Sequence, residues 1–128
     1  MRVLLVEDTD DLRSLFARML KLHGFEVREA ANGCQALDCL LDYHPDLIIT
    51  DLSMPMMDGY ELIRRLREMP TMVDLPVVAI TANESYEAEN KARDAGAADF
   101  IVKPVDIPTL IDRLFGIGES ARLRGRAQ

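Results

Sequence analysis

The sequence has no tryptophan, only two cysteines, and no apolar run near the roughly 18 residues that a membrane span needs. Cys34 and Cys39 are five positions apart, which places them on different faces of a helix and disfavours a disulfide. Two cysteines alone do not make a zinc site. The start of the chain lacks the apolar core and cleavage site of a signal peptide. These absences predict a cytoplasmic protein with reduced thiols and no membrane segment.

Positive charge is also scarce, since 15 basic residues face 22 acidic ones and the net charge is −7. That balance argues against direct nucleic-acid binding, which depends on neutralising phosphates with lysine and arginine. The exception is the segment 119–128, which holds three arginines and one acid. We therefore expect one domain over residues 1–118, followed by a basic tail or the start of a linker at 119–128.

Short apolar runs alternate with segments of helical periodicity. Several of the runs are continuously apolar and rich in Val and Ile, which is typical of parallel strands covered on both faces. They lie at 3–6, 25–27, 47–49, 77–80 and 100–102. The pattern predicts an α/β fold of five βα units, with helices on both faces of one doubly wound parallel sheet. Two strand orders suit five strands, and the spacing does not choose between them.

The helical segments differ in their apolar sides. Leucine, isoleucine, methionine and phenylalanine at i, i+3, i+4, i+7 and i+8 predict amphipathic helices starting near Leu12 and Ile107. We expect helices to stop at Gly24, Gly96 and Gly116. The segment 85–95 has only alanines on its apolar side, so it should pack shallowly and be the loosest helix.

Reactive or ligand-type residues follow four of the five predicted strands. Glu7 and Asp8 follow the first strand, Asp51 the third, Thr81 the fourth and Lys103 the fifth. Parallel sheets bind ligands beyond the carboxyl ends of their strands, so these side chains should converge. Three adjacent carboxylates call for a cation, and an all-oxygen set with few protein ligands suits Mg²⁺. With a lysine and a hydroxyl, the set predicts phosphoryl-transfer chemistry.

Five motifs, in order and over about residues 2–116, make the sequence similar to the receiver domains of two-component response regulators. They are VLLVED at 3–8, DLSMPMMDG at 51–59, ITA at 80–82, GAADF at 96–100 and KPV at 103–105. The resemblance implies a flavodoxin-like (βα)₅ sheet with strand order 2-1-3-4-5. It also implies a phosphorelay protein that catalyses only its own phosphorylation and dephosphorylation.

The resemblance also implies a role for each matching residue. Asp51 would accept the phosphoryl group of a phosphohistidine on a histidine kinase or histidine phosphotransfer protein. Asp8, Asp51 and the backbone carbonyl of Ser53 would hold Mg²⁺, with Glu7 acting through water. Lys103 and Thr81 would bind the phosphoryl oxygens.

A switch is implied as well. Thr81 would move toward the phosphoryl group and Phe100 would rotate, although a plain core role for Phe100 stays open. The face formed by helix 4, strand 5 and helix 5 would then signal to an output domain or partner, or form a phosphorylation-linked dimer. Ser53 and Asn83 occupy the positions that tune the phosphate lifetime, and the Lys103–Pro104 bond would be cis.

Two other readings stay open. A magnesium phosphohydrolase of the haloacid dehalogenase type also uses a strand-end aspartate, but it needs a second acid two residues later, where this chain has Ser53. A receiver-like interaction module that is never phosphorylated is the other, and the intact set of acids, Thr81 and Lys103 speaks against it. A nucleotide-binding fold is disfavoured because the sequence contains no glycine-rich phosphate loop.

Overall fold

The computed structural model describes the backbone of residues 1–126 and the side chains of residues 1–120. Its centre is a parallel five-stranded sheet of order β2-β1-β3-β4-β5. The strands are β1 Arg2–Val6, β2 Glu26–Ala30, β3 Leu47–Asp51, β4 Val77–Thr81 and β5 Asp99–Val102. The helices are α1 Asp10–Leu22, α2 Gly33–Cys39, α3 Gly59–Arg67, α4 Tyr86–Ala95 and α5 Ile107–Arg126. The predicted class and the flavodoxin-like strand order are confirmed.

Helices cover both faces of the sheet and enclose two separate apolar cores. Alternate residues of the central strands point to opposite faces, as the strand repeat of two requires. One core joins the sheet to α2, α3 and α4, with Leu4, Ile48 and Leu62 among its fully buried members. The other joins it to α1 and α5, with Leu5 and Leu114 among its members. This two-sided burial explains why the central strands are continuously apolar.

Strands β3 and β4 extend beyond their apolar runs into the polar residues that follow. Asp51 and Thr81 are the last residues of these strands. Asp51 is paired in register with Ile80, and Thr81 with Val102. The ladder therefore positions both candidate site residues directly, rather than through a flexible loop.

The ends of α1 and α4 agree with the sequence, whereas the predicted apolar side of α1 is only partly buried. Gly24 (φ 90°) and Gly96 (φ 115°) both adopt the left-handed conformation that glycine accepts without strain. Phe16 and Leu20 are buried. Leu15, expected on the same side, is 47% exposed.

The expected helix stop at Gly116 is wrong, because α5 continues through Gly116 to Arg126. Unlike the glycines that end α1 and α4, Gly116 does not have a positive φ, so it makes no left-handed cap. Gly118 lies against the flexible end of the Met1 side chain, which a larger residue would displace. Residues 127–128 of the expected basic segment lie outside the described residues, and the domain boundary after residue 118 stays a prediction.

Helix α4 is attached to the core through alanines, as the sequence predicts. Ala88 and Ala92 are its buried residues, and the Ser85 hydroxyl caps its first turn by accepting from the Ala88 amide. Its far end is held more firmly, since the Arg67 guanidinium of α3 donates to the carbonyl of Gly96 over 2.7 Å. Among residues 1–126, every helix is too short or too polar to cross a bilayer.

Candidate functional site at the sheet edge

Three carboxylates meet where β1 and β3 end. Glu7, Asp8 and Asp51 each offer one oxygen, and these oxygens lie within 4.8 Å of one another. Glu7 and Asp51 are buried, whereas Asp8 is exposed. The cluster is therefore open to solvent on the Asp8 side.

The Asp51 carboxylate is held by one donor on each oxygen. The backbone N–H of Ser53 donates to Oδ1 over 3.0 Å, and Nζ of Lys103 donates to Oδ2 over 2.8 Å. The Thr50 hydroxyl donates to the Asp51 backbone carbonyl over 3.0 Å. The first two bonds fix the direction of the carboxylate of Asp51, a residue that is only 6% exposed.

Lys103 is the positive charge that the structure places against the acids. Its Nζ lies 3.7 Å from Oε2 of Glu7, in addition to its hydrogen bond with Asp51. Burial lowers the pKa of Lys103, but the hydrogen bond and charge of Asp51, with the charges of Glu7 and Asp8, outweigh it and raise the pKa above its ordinary value. Lys103 is therefore a fixed cation in the neutral range.

Glu7 is a buried acid whose ionised form is disfavoured. Its pKa is raised from 4.5 to about 7, chiefly by burial and further by the neighbouring Asp51 carboxylate, and the positive charge of Lys103 offsets part of the rise. Its buried Oε1 has no hydrogen-bond partner among the described residues. One lysine is thus too little positive charge for three acids, and a further cation or a proton would relieve the excess.

Thr81 lies buried at the end of the next strand. Its hydroxyl oxygen accepts from the backbone N–H of Asn83 over 3.1 Å, and the Asn83 side chain accepts from the Ser85 amide over 3.0 Å. These two bonds shape the loop between β4 and α4 and link Thr81 to the cap of α4. Phe100 of β5 is buried in the same core as Ala88 of α4.

Two residues important to the geometry carried no role in the sequence analysis. A Cβ at Gly59 would collide with the backbone oxygen of Asp51, so only glycine allows α3 to begin this close to the site. The Arg13 guanidinium donates to the backbone carbonyl of Glu7 over 2.8 Å. The spacing of Arg13 three residues after Asp10, within the first turn of α1, is the signal that could have drawn attention to it.

The Lys103–Pro104 peptide bond is cis.

Residues 3–115 match the family model described as the response regulator receiver domain. The chain is 37% identical over 113 residues to the transcriptional regulatory protein PrrA of Mycobacterium tuberculosis, covering 88% of this chain and 48% of that protein. It is also 37% identical over 109 residues to the regulatory protein AtoC of Escherichia coli, covering 85% and 23%. The chain thus spans about half, or less, of the length of these relatives.

Solved structures agree with the sequence comparison. The chemotaxis protein CheY4 of Vibrio cholerae has a TM-score of 0.86 and 31% identity, over 91% of this chain and 97% of that one. The receiver domain of a signal transduction histidine kinase from Syntrophus aciditrophicus has a TM-score of 0.87 and 31% identity, over 93% and 90%. None of these matches supports the phosphohydrolase alternative. With the five strands in their predicted order and the acids at their predicted edge, the chain belongs to the response regulator receiver domain family.

Proposed function

We propose that Asp51 accepts a phosphoryl group from a phosphohistidine of a histidine kinase or histidine phosphotransfer protein. The observation that carries the proposal is the paired support of the Asp51 carboxylate by Lys103 Nζ, at 2.8 Å, and by the Ser53 amide. A carboxylate oxygen would form the new bond to phosphorus while the phosphorus–nitrogen bond breaks, and the imidazole would leave neutral, keeping the proton on its other ring nitrogen. Positioning and charge neutralisation account for most of the catalysis in such transfers.

The acids fit a divalent metal ion. The donor set is all oxygen, and the unpartnered Oε1 of Glu7 leaves a buried acceptor that needs positive charge. Asp8, Asp51 and the backbone carbonyl of Ser53 would hold Mg²⁺, with Glu7 acting through water. When bound, Mg²⁺ supplies positive charge that offsets the repulsion between the carboxylates and the incoming phosphoryl group.

Lys103 and Thr81 would receive the phosphoryl oxygens. Lys103 is close enough to Asp51 to transfer its contact to a phosphoryl oxygen, and the Thr81 hydroxyl can rotate its proton toward an acceptor. Ser53 and Asn83 are both exposed and polar, so neither shields the site from water. We therefore expect an aspartyl phosphate of moderate lifetime, and a half-life of many hours would contradict this.

Switching would follow from a shift of Thr81 toward the phosphoryl group. The shift would break the bond from the Asn83 amide and so loosen the loop that leads to the cap of α4. Phe100 would then rotate beneath α4, whose buried residues are the alanines Ala88 and Ala92. The face formed by α4, β5 and α5 would signal to an output domain or partner protein, or support a phosphorylation-linked dimer.

The direct test is labelling by a small acyl phosphate, with and without Mg²⁺, read as a mass gain. Wild type should gain one phosphoryl group only with Mg²⁺, and Asp51→Asn should gain none. Asp11→Asn, which removes an exposed carboxylate from α1, is the matched control and should label as wild type does. Equal labelling of wild type and Asp51→Asn would refute Asp51 as the acceptor.

A further inference from the structure

Arg13 binds the backbone of the loop that carries the acidic pair. One guanidinium nitrogen donates to the backbone carbonyl of Glu7 over 2.8 Å, and another donates to Oδ1 of Asp10 over 2.7 Å. Its Nε lies 3.4 Å from Oε1 of Glu29 on β2. The Arg13 side chain is only 16% exposed and its bond to the Glu7 carbonyl is partly buried, whereas the Asp10 side chain is 84% exposed. An arginine that satisfies a main-chain carbonyl and two acids at once holds one orientation.

The carbonyl that Arg13 holds belongs to the peptide unit between Glu7 and Asp8. A peptide unit is planar, so fixing its oxygen also fixes the amide nitrogen of Asp8. On the other side of Glu7, the backbone N–H donates to the carbonyl of Ala30 over 3.1 Å. Glu7 is thus held from both sides of its backbone, and the exposed side chain of Asp8 starts from a fixed Cα.

We propose that Arg13 is a positioning residue that fixes the Glu7–Asp8 peptide unit and so holds the Asp8 carboxylate ready for a divalent cation. The proposal rests on the proposed function, in which Asp8 is a ligand of Mg²⁺. Arg13 has no direct contact with Asp51 or Lys103 among the described hydrogen bonds and ion pairs, so its effect passes through the backbone. Residues that orient metal ligands in this indirect way commonly change metal affinity by about 10–100-fold when they are replaced.

The charge of Arg13 and its positioning of the backbone predict opposite changes in Mg²⁺ affinity when Arg13 is replaced. Removing a positive charge close to a cation site strengthens cation binding by Coulomb's law. Removing the support of the Glu7–Asp8 peptide unit weakens binding, because the ion must then order the loop itself. The direction of the change in Mg²⁺ affinity therefore separates the two effects.

The experiment measures the Kd for Mg²⁺ by titration calorimetry, and follows the Asp8 amide by NMR, in wild type, Arg13→Met, Arg13→Lys and Arg18→Met. Methionine keeps most of the aliphatic stem of Arg13 but no donor, and lysine keeps the charge without the planar fork. Arg18 is an exposed arginine on the same helix, so Arg18→Met removes the same charge without touching Glu7.

We expect Arg13→Met to weaken Mg²⁺ binding by about 10–100-fold, Arg13→Lys to lie between it and wild type, and Arg18→Met to match wild type or bind slightly tighter. Labelling by an acyl phosphate should recover in Arg13→Met as Mg²⁺ is raised. Unchanged or tighter Mg²⁺ binding in Arg13→Met would overturn the proposal. If that variant does not fold, Arg13→Lys decides, since wild-type affinity there would overturn it equally.

Failure of the proposed function looks different. A wild-type protein that binds no Mg²⁺ would overturn both the metal site and the role of Arg13. If wild type binds Mg²⁺ but Asp51→Asn is labelled as strongly as wild type, only the assignment of Asp51 as the phosphoryl acceptor is overturned. The effect of Arg13 on Mg²⁺ affinity would still be measurable in that case.

Discussion

Replacing Glu7 by glutamine should stabilise the metal-free protein, and the gain should depend on pH. Glu7 is a buried acid whose Oε1 has no hydrogen-bond partner among the described residues, and it lies in a cluster with two other carboxylates. The neutral amide of glutamine has nearly the same shape but never ionises. The substitution therefore removes the charge repulsion at the site and leaves the packing almost unchanged.

The sign and size of this gain in stability follow from the pKa of Glu7, which burial and Asp51 raise from 4.5 to about 7. The folded state binds the Glu7 proton more tightly than the unfolded state, so stability falls as pH rises between these two values and the loss is complete above about 7. At roughly 1.4 kcal/mol per pKa unit, the full loss is about 3 kcal/mol. Lys103 does not disturb this window, because its raised pKa matters only at strongly alkaline pH.

The assay is urea unfolding in the presence of a chelator, at several values between about pH 4.5 and pH 8. The free energy of unfolding of Glu7→Gln minus that of wild type should be near zero at the acid end and approach about 3 kcal/mol at the neutral end. Glu84→Gln, at an exposed acid, is the control and should show no such trend. A difference that does not change with pH, or a Glu7→Gln protein that is less stable at neutral pH, would refute the reasoning.

Two further substitutions test the surroundings of Asp51. Lys103→Met removes the cation that lowers the pKa of Glu7, so an NMR titration should show that pKa rising further, and acyl phosphate labelling should slow by about 100-fold or more. A lower Glu7 pKa or an unchanged labelling rate would contradict this. Gly59→Ala places a Cβ against the backbone oxygen of Asp51, so we expect a loss of about 2–3 kcal/mol in urea unfolding. A loss below about 1 kcal/mol would show that α3 moves away freely.

The sheet and the candidate site were predictable because both depend on strong local signals. Continuous apolar runs are typical of strands covered on both faces, and residues that follow parallel strands meet at one edge. Asp51 and Lys103, 52 positions apart, were therefore expected at the same edge, and the structure places Nζ of Lys103 2.8 Å from Oδ2 of Asp51. The strand order itself came from the resemblance, since the spacing allowed two arrangements.

What the sequence could not supply depends on conformations and contacts that have no periodic signal. The sequence predicts a helix end at Gly24, Gly96 and Gly116 alike, but only the first two have a positive φ and end a helix. Leu15 fits the apolar spacing of α1 yet is 47% exposed, because the buried side of the helix is narrower than the pattern. The spacing of Arg13 from Asp10 predicts only an ion pair within α1, whereas the bond from Arg13 to the Glu7 carbonyl has no signal in the sequence.

Glu7 shows why the site and the stability of the fold oppose each other. A buried acid without a partner for Oε1 destabilises the folded protein increasingly as pH rises from 4.5 to about 7, yet the same property makes the pocket attract positive charge. An ion that binds only the folded state stabilises it, and the stabilisation grows with the logarithm of the ion concentration divided by Kd. Mg²⁺ should therefore raise the stability of wild type more than that of Glu7→Gln, and the difference should grow from acid to neutral pH. Equal stabilisation of the two proteins by Mg²⁺ would mean that Glu7 takes no part in binding the ion.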